Sequence, residues 1–117
     1  MKDGLRLGGP WHRLAVEQIA GFYQSQGFVV RVEYRDVDVF VHKGSETVAV
    51  EVESLCGTKD YVSAVSNVMK ATRIADRVEV IVKDNAGANK LQQHIWESPL
   101  RSYRSLSIRL LEEHISK

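Results

Sequence analysis

The 117-residue chain is predicted to fold as one α/β domain, a mixed central β-sheet flanked by helices. Three patterns carry that expectation. Apolar residues recur at helical spacing from Trp11, apolar and polar residues alternate strictly over 36–42 and again over 47–53, and a second helical pattern leads into the apolar run 78–82.

Pro10 has the fixed backbone angle that suits a first helical turn, and Ala15, Ile19 and Phe22 follow at three- and four-residue steps until Gly27 offers a stop. This is an amphipathic helix of about four turns. Residues 28–34, Phe-Val-Val-Arg-Val-Glu-Tyr, are rich in β-branched and aromatic side chains, and 36–42 read Asp-Val-Asp-Val-Phe-Val-His, so both are expected strands. Gly44-Ser45 supplies a tight turn into a third strand over 47–53, Thr-Val-Ala-Val-Glu-Val-Glu. Residues 54–58 break the pattern. A helix over 59–75 then buries Tyr61, Val65, Val68 and Thr72, and the strand over 78–82 has the composition of one covered on both faces. A helix over 87–96 through Ala88, Leu91 and Ile95 stops near Pro99, residues 105–111 suit a final strand, and 112–117 form a tail or a helical turn. Strands three and four, joined through the second helix, would be parallel. Residues 1–9 are read as an N-terminal extension and 10–117 as a single domain.

At this length about 65% of the unfolded surface can be buried, enough for one core. A hydrophobic content of 44% with 26% charged residues excludes a disordered chain. The net charge is only +1, so contact with nucleic acid requires a local basic patch and not a global field. Cys56 is the single cysteine; it permits no internal disulfide and no zinc motif, which fits a reducing interior and a cytoplasmic address. No apolar run approaches about 20 residues, and the first ten residues lack the apolar centre of a signal peptide, so no membrane association is expected. Gly8-Gly9 and Gly57 lack the spacing of a phosphate-cradling loop, which argues against a nucleotide cofactor.

The hairpin carries the chemistry. With Gly44 and Ser45 at the centre of its turn, Asp38 stands opposite Glu51 and Asp36 opposite Glu53. Side chains alternate along a strand, so the four carboxylates share one face, while Val37, Val39, Val41, Val48, Val50 and Val52 share the core face. Like charges directly opposed on neighbouring strands cost on the order of 0.2 to 1 kcal/mol per pair. Two explanations stand: a divalent cation with oxygen ligands compensates, which suits phosphodiester hydrolysis, or the face is solvated and merely acidic.

At Glu17, Asp38 and Glu51-Val52-Glu53 the sequence resembles the PD-(D/E)xK nuclease superfamily, whose pattern is an acidic residue in a first helix, an Asp opening the second strand and Glu-x-Lys on the third. The 13-residue step from Asp38 to Glu51 and the run Gly27-Phe-Val-Val-Arg31 are similar to the archaeal Holliday-junction-resolvase-like members. The resemblance covers roughly residues 11–83. It implies a restriction endonuclease-like core (αβββαβ with a further C-terminal helix and strand), a metal-dependent DNA endonuclease activity that is structure-specific or resolvase-like, Mg²⁺ or Mn²⁺ at Asp38, Glu51 and Glu53, DNA as partner and a homodimer. One departure stands out. Glu53 occupies the place of the family's lysine. Either Glu53 is a further ligand or a base orienting water, or the lysine has moved to Lys70, one turn from Asn67, or it is lost and the domain binds without cutting. In that last case the chain is an inactive DNA-binding or assembly module, and in either case it is a candidate component of a larger DNA-processing machine.

Lys59, Lys70, Arg101 and Arg104 are the basic residues available to phosphates, although solvated helix ends explain them nearly as well. Glu17 reads equally well as an ordinary exposed helix residue. His42 shares the acidic face by parity but lies beyond the cluster near the turn, His12 is left without a role, and His94 and His114 have no motif context. Trp11, Phe22 and Trp96 fall on apolar helical stripes, as expected of core or subunit contacts.

Overall fold

The computed structural model describes residues 9–115. In chain order the elements are α1 (Gly9–Ser25), β1 (Val29–Tyr34), β2 (Val37–Lys43), β3 (Glu46–Glu53), α2 (Thr58–Ala71), β4 (Arg77–Val82), α3 (Asn85–Trp96), a 3-10 turn (Pro99–Ser102), β5 (Leu106–Leu110) and α4 (Leu111–Ile115). Helix α1 opens at Gly9, so the expected N-terminal extension lies otherwise outside the described residues, as do 116–117. The five strands form one mixed sheet in the order β1-β2-β3-β4-β5, with the first three antiparallel and β3, β4 and β5 parallel. This is the mixed α/β architecture that the alternation and the helical spacing predict.

Each face of the sheet carries helices. Under α1 lie Val39, Val41, Val48, Val50 and Val52 with Ala15, Val16 and Ile19. Under α2 and α3 lie Phe40, Ala49, Val78, Val80 and Val82 with Tyr61, Ala64, Val68 and Leu91. Two of these placements correct the sequence reading. Val37 packs with the second cluster and not with the other hairpin valines, because the backbone leaves regular β geometry at the start of β2, where Glu33 on the neighbouring strand has φ +57°. Glu51 is also not open to water, since α2 crosses its face over Phe40 and Ala49 and leaves it only 2% exposed, while Asp38 and Glu53 stay half-buried.

Asp36 is a further correction. It lies in the β1–β2 turn, before β2 begins at Val37, and both central residues are left-handed, Arg35 at φ +51° and Asp36 at φ +68°. Two positive φ values in a two-residue loop match a type I′ turn, whose twist suits the paired strands but which favours Asn-Gly over Arg-Asp. Replacing Arg35→Asn together with Asp36→Gly is therefore expected to raise stability by about 1 kcal/mol, read as a higher urea midpoint at unchanged slope. An unmoved or lowered midpoint would contradict the turn assignment.

Helix α2 stops at Ala71, earlier than its apolar pattern suggests. The Thr72 hydroxyl donates to the Met69 carbonyl, and the Arg73 and Ile74 amides close tight turns onto Lys70 and Ala71, so Thr72 becomes a half-buried cap. In α1 the fully packed aromatic is Tyr23, with Phe22 half-buried beside it. Trp96 departs furthest from expectation. It ends α3 with 68% of its surface exposed, outside both clusters.

Candidate functional site

The hairpin register agrees with the sequence arithmetic. Val39 faces Val50, Phe40 faces Ala49, Val41 faces Val48, His42 faces Thr47 and Lys43 faces Glu46, with Gly44 at φ +61° in the turn. Asp38 stands one step beyond the last of these pairs. In place of a strand partner, its carboxylate accepts a hydrogen bond from the Val52 amide at 2.7 Å, so a side chain continues the ladder where the backbone leaves it. Glu51 follows Val50 on β3 and Glu53 ends the strand, which brings the three expected metal ligands to one end of the hairpin.

They line a cleft of about 690 Å³ that three further elements help to close. His12 comes from α1, Glu33 and Asp36 from β1 and its turn, and Asp60, Ser63, Asn67 and Lys70 from α2. Asp60 also holds the loop leading into α2, accepting from the amides of Cys56 at 2.9 Å and Gly57 at 3.4 Å. Lys70, singled out for its one-turn spacing from Asn67, does reach the cleft. His42 is not among its lining residues, in keeping with its place near the turn.

The charge balance is lopsided. Glu51 has a side-chain oxygen, Oε2, that is buried with no hydrogen-bond partner among the described residues. Burial above all, then the charges of Asp38 and Glu53 and a hydrogen bond shared with Asp38, push its carboxyl up to about 10, while Lys70 pulls the other way. Burial also raises Glu53, to about 7, helped by Asp38 and Asp60 and opposed by the Asn67 amide, which donates to Oε2 at 3.3 Å, and by His12. At neutral pH the cleft therefore favours a protonated Glu51, with Glu53 divided between its two forms.

His12 is the residue that sequence reasoning missed. It is buried at the first turn of α1, with Nε2 3.3 Å from Asp38 Oδ1 and Nδ1 without a partner among the described residues. Its signal was present but weak: on a helix, position 12 falls with Ala15, Val16 and Ile19 on the inward stripe, and a histidine there needs a polar neighbour. Glu33 was missed as well, since nothing in a strand-like run marks a residue that will adopt a positive φ.

Other predicted residues fall elsewhere. Glu17 does not line the acidic cleft; it is exposed on a neighbouring groove of about 380 Å³ between α1 and β1, which shares only His12, Glu33 and Asp38 with the cleft. Lys59 is exposed on the first turn of α2, and Arg101 and Arg104 lie exposed near β5; none of the three lines the cleft. Cys56 is an exposed free thiol.

No protein-family model matches the chain, and no curated protein does. A solved structure titled "Crystal Structure of Protein of Unknown Function AF1548" superimposes with a TM-score of 0.53 at 8% sequence identity, covering 85% of this chain and 59% of that one. The likeness concerns the fold, and this chain spans little more than half of its neighbour's length. No helix among the described residues is long and apolar enough to cross a membrane.

A divalent cation fits the donor set. Glu51 offers a buried oxygen unpartnered among the described residues, Asp38 and Glu53 flank it, and hard cations take carboxylate oxygens. Among the described residues no three His, Cys, Asp and Glu side chains already stand at metal-cage spacing. Mg²⁺ does not demand a cage, because it is commonly held by one or two carboxylates with water and substrate phosphate completing the shell.

Proposed function

We propose that this chain is a metal-dependent DNA endonuclease domain of the PD-(D/E)xK type, with Asp38 and Glu51 holding Mg²⁺ or Mn²⁺ and Glu53 completing the site. The observation that supports it best is the buried Glu51 Oε2, unpartnered among the described residues, in a cleft shared with Asp38 and Glu53. A structural carboxylate would be expected to have both oxygens hydrogen-bonded at that depth.

The cation would supply a Lewis acid for the phosphodiester and an activated water. The chain's own residues divide the remaining work. The Val52 amide fixes the Asp38 carboxylate, and His12 holds its other oxygen. Asn67 orients Glu53. Lys70 is the lysine that lines the cleft and can offset charge building on the phosphate, the task the family assigns to the residue that Glu53 replaces. DNA as substrate and a cytoplasmic address belong to the same reading, the latter in keeping with one exposed free cysteine.

The test is cleavage of supercoiled plasmid and of branched DNA with Mg²⁺ or Mn²⁺. Wild-type protein is expected to cut, Asp38→Ala and Glu51→Ala to lose at least a hundredfold in rate, and Lys70→Ala to lose rate while still binding the ion. Absence of cutting on any DNA form, together with no heat of Mn²⁺ binding in calorimetry, would defeat the proposal and leave a binding module of the same fold.

A further inference from the structure

Among the described residues the sheet has two outer strands, β1 and β5, and they differ in kind. Strand β1 carries Arg31 and Glu33, and Glu33 at φ +57° breaks the regular run of outward amides and carbonyls. Charge and irregularity are the usual protections of an exposed edge. Strand β5, Leu-Ser-Ile-Arg-Leu, has no positive φ and one charged residue.

Its outward-pointing groups can be read from the hydrogen bonds. The Ser105 carbonyl accepts from the Val78 amide, so the odd-numbered residues of this strand turn their backbone groups to β4 and the even-numbered ones turn outward. The outward Leu110 amide donates to the Glu113 carboxylate at the start of α4. Leu106 and Ile108 thus present amide and carbonyl to the outside, beside a groove of about 480 Å³ lined by Ile95, Leu100 and the exposed Trp96.

We infer that β5 pairs antiparallel with β5 of a second copy of this chain, on a two-fold axis through Ser107, joining two five-stranded sheets edge to edge. In that register Leu106 faces Ile108 of the other copy, and these two symmetric pairs supply four backbone hydrogen bonds from groups the monomer leaves turned outward. Leu110, occupied by Glu113, is not required. Ser107 meets Ser107, Arg109 meets Ser105, and no like charges are opposed. The apolar side chains of Leu106 and Ile108 form a stripe continuous across the axis, bordered by both copies of Trp96. An isologous contact of this kind closes on itself and does not propagate into fibres. The pairing stands independently of the proposed nuclease reading.

The Ser107 pair is a non-hydrogen-bonded position, where Cα atoms approach to about 4.5 Å, within disulfide range. In a Cys56→Ser background, Ser107→Cys is expected to give a covalent dimer under mild oxidation, and Val29→Cys on the other edge is not. Sedimentation of the wild type should show twice the 13.2 kDa chain mass, shifting to the chain mass with Ile108→Pro, which removes an outward amide and leaves the bonds to β4 in place. Since that variant also trims the core, hydrogen exchange on the wild type provides the second measurement: Leu106 and Ile108 amides should slow as concentration rises. A monomer at every concentration overturns the inference. A dimer that crosslinks through Val29→Cys and not through Ser107→Cys, or concentration-independent exchange at Leu106 and Ile108, also overturns it.

Discussion

Glu51→Gln is expected to make the metal-free protein more stable at pH 7 by roughly 3 kcal/mol, while abolishing stabilisation by Mg²⁺ or Mn²⁺. Glu51 is raised from 4.5 to about 10 by burial and by its acidic neighbours. A carboxyl raised in the folded state contributes its stability fully below about 4.5 and loses it as pH climbs toward 10, because the unfolded chain ionises first. At pH 7 the folded chain bears the cost of about two and a half pH units, each worth about 1.4 kcal/mol, and a neutral glutamine of the same shape removes it. Denaturant melts from pH 5 to 9 check this: wild-type stability should fall across the range and the variant's should stay nearly level. Glu53, raised to about 7, adds a smaller slope of the same sign. Equal stabilities for the two proteins at pH 8 would refute the account.

The second large effect lies on the opposite face of the sheet. Glu79 of β4 is buried between two partners, accepting from the Tyr23 hydroxyl at 2.7 Å and meeting His114 Nε2 of α4 at 2.8 Å. Phe22 stacks edge-on against His114 at 4.8 Å, sealing the cluster from water. Burial alone would push Glu79 up, but the hydrogen bonds from His114 and Tyr23 and the charge on His114 hold it below the ordinary carboxylate value, while burial and the Glu79 bond raise the Tyr23 hydroxyl. With its folded value depressed, Glu79 stabilises the protein above about 4.5 and loses that contribution as pH falls through the folded value. His114→Ala strands the carboxylate in a dry site, and breaking a buried pair in this way costs about 3 to 5 kcal/mol. The pH slope should also invert, since burial without the histidine favours the protonated acid. A variant that loses less than about 1 kcal/mol, or keeps the wild-type pH profile, would show that the pair contributes nothing to holding α4.

The hairpin was legible because it depends on local rules alone. Period-two alternation, a glycine in the turn and the count of residues across it suffice to place Asp38 and Glu51 at the same end. The buried polar groups were not, because each depends on a contact between distant segments: His12 reaches Asp38 across 26 positions, and His114 reaches Glu79 across 35. Asp36 was misplaced for a subtler reason. Its alternation continued that of β2 without a break, and only left-handed backbone at Arg35 and Asp36 turned the chain there in preference to a glycine-marked site. Glu17 and Trp96 show the limit of helical periodicity, which indicates the stripe a residue belongs to and not whether that stripe is covered at that point.

Helix α1 carries one member of each polar cluster, His12 in its first turn and Tyr23 in its last. The two are bound to fixed points on the sheet, so the phase of the helix between them is set at both ends. Losing or gaining one residue within 13–22 would rotate one end about 100° against the other and detach either Asp38 or Glu79 from its partner. Substitution on the outer surface of α1 is thus cheap, whereas its length between these two residues cannot drift. Insertions that the loops around the sheet would absorb are excluded from this one segment.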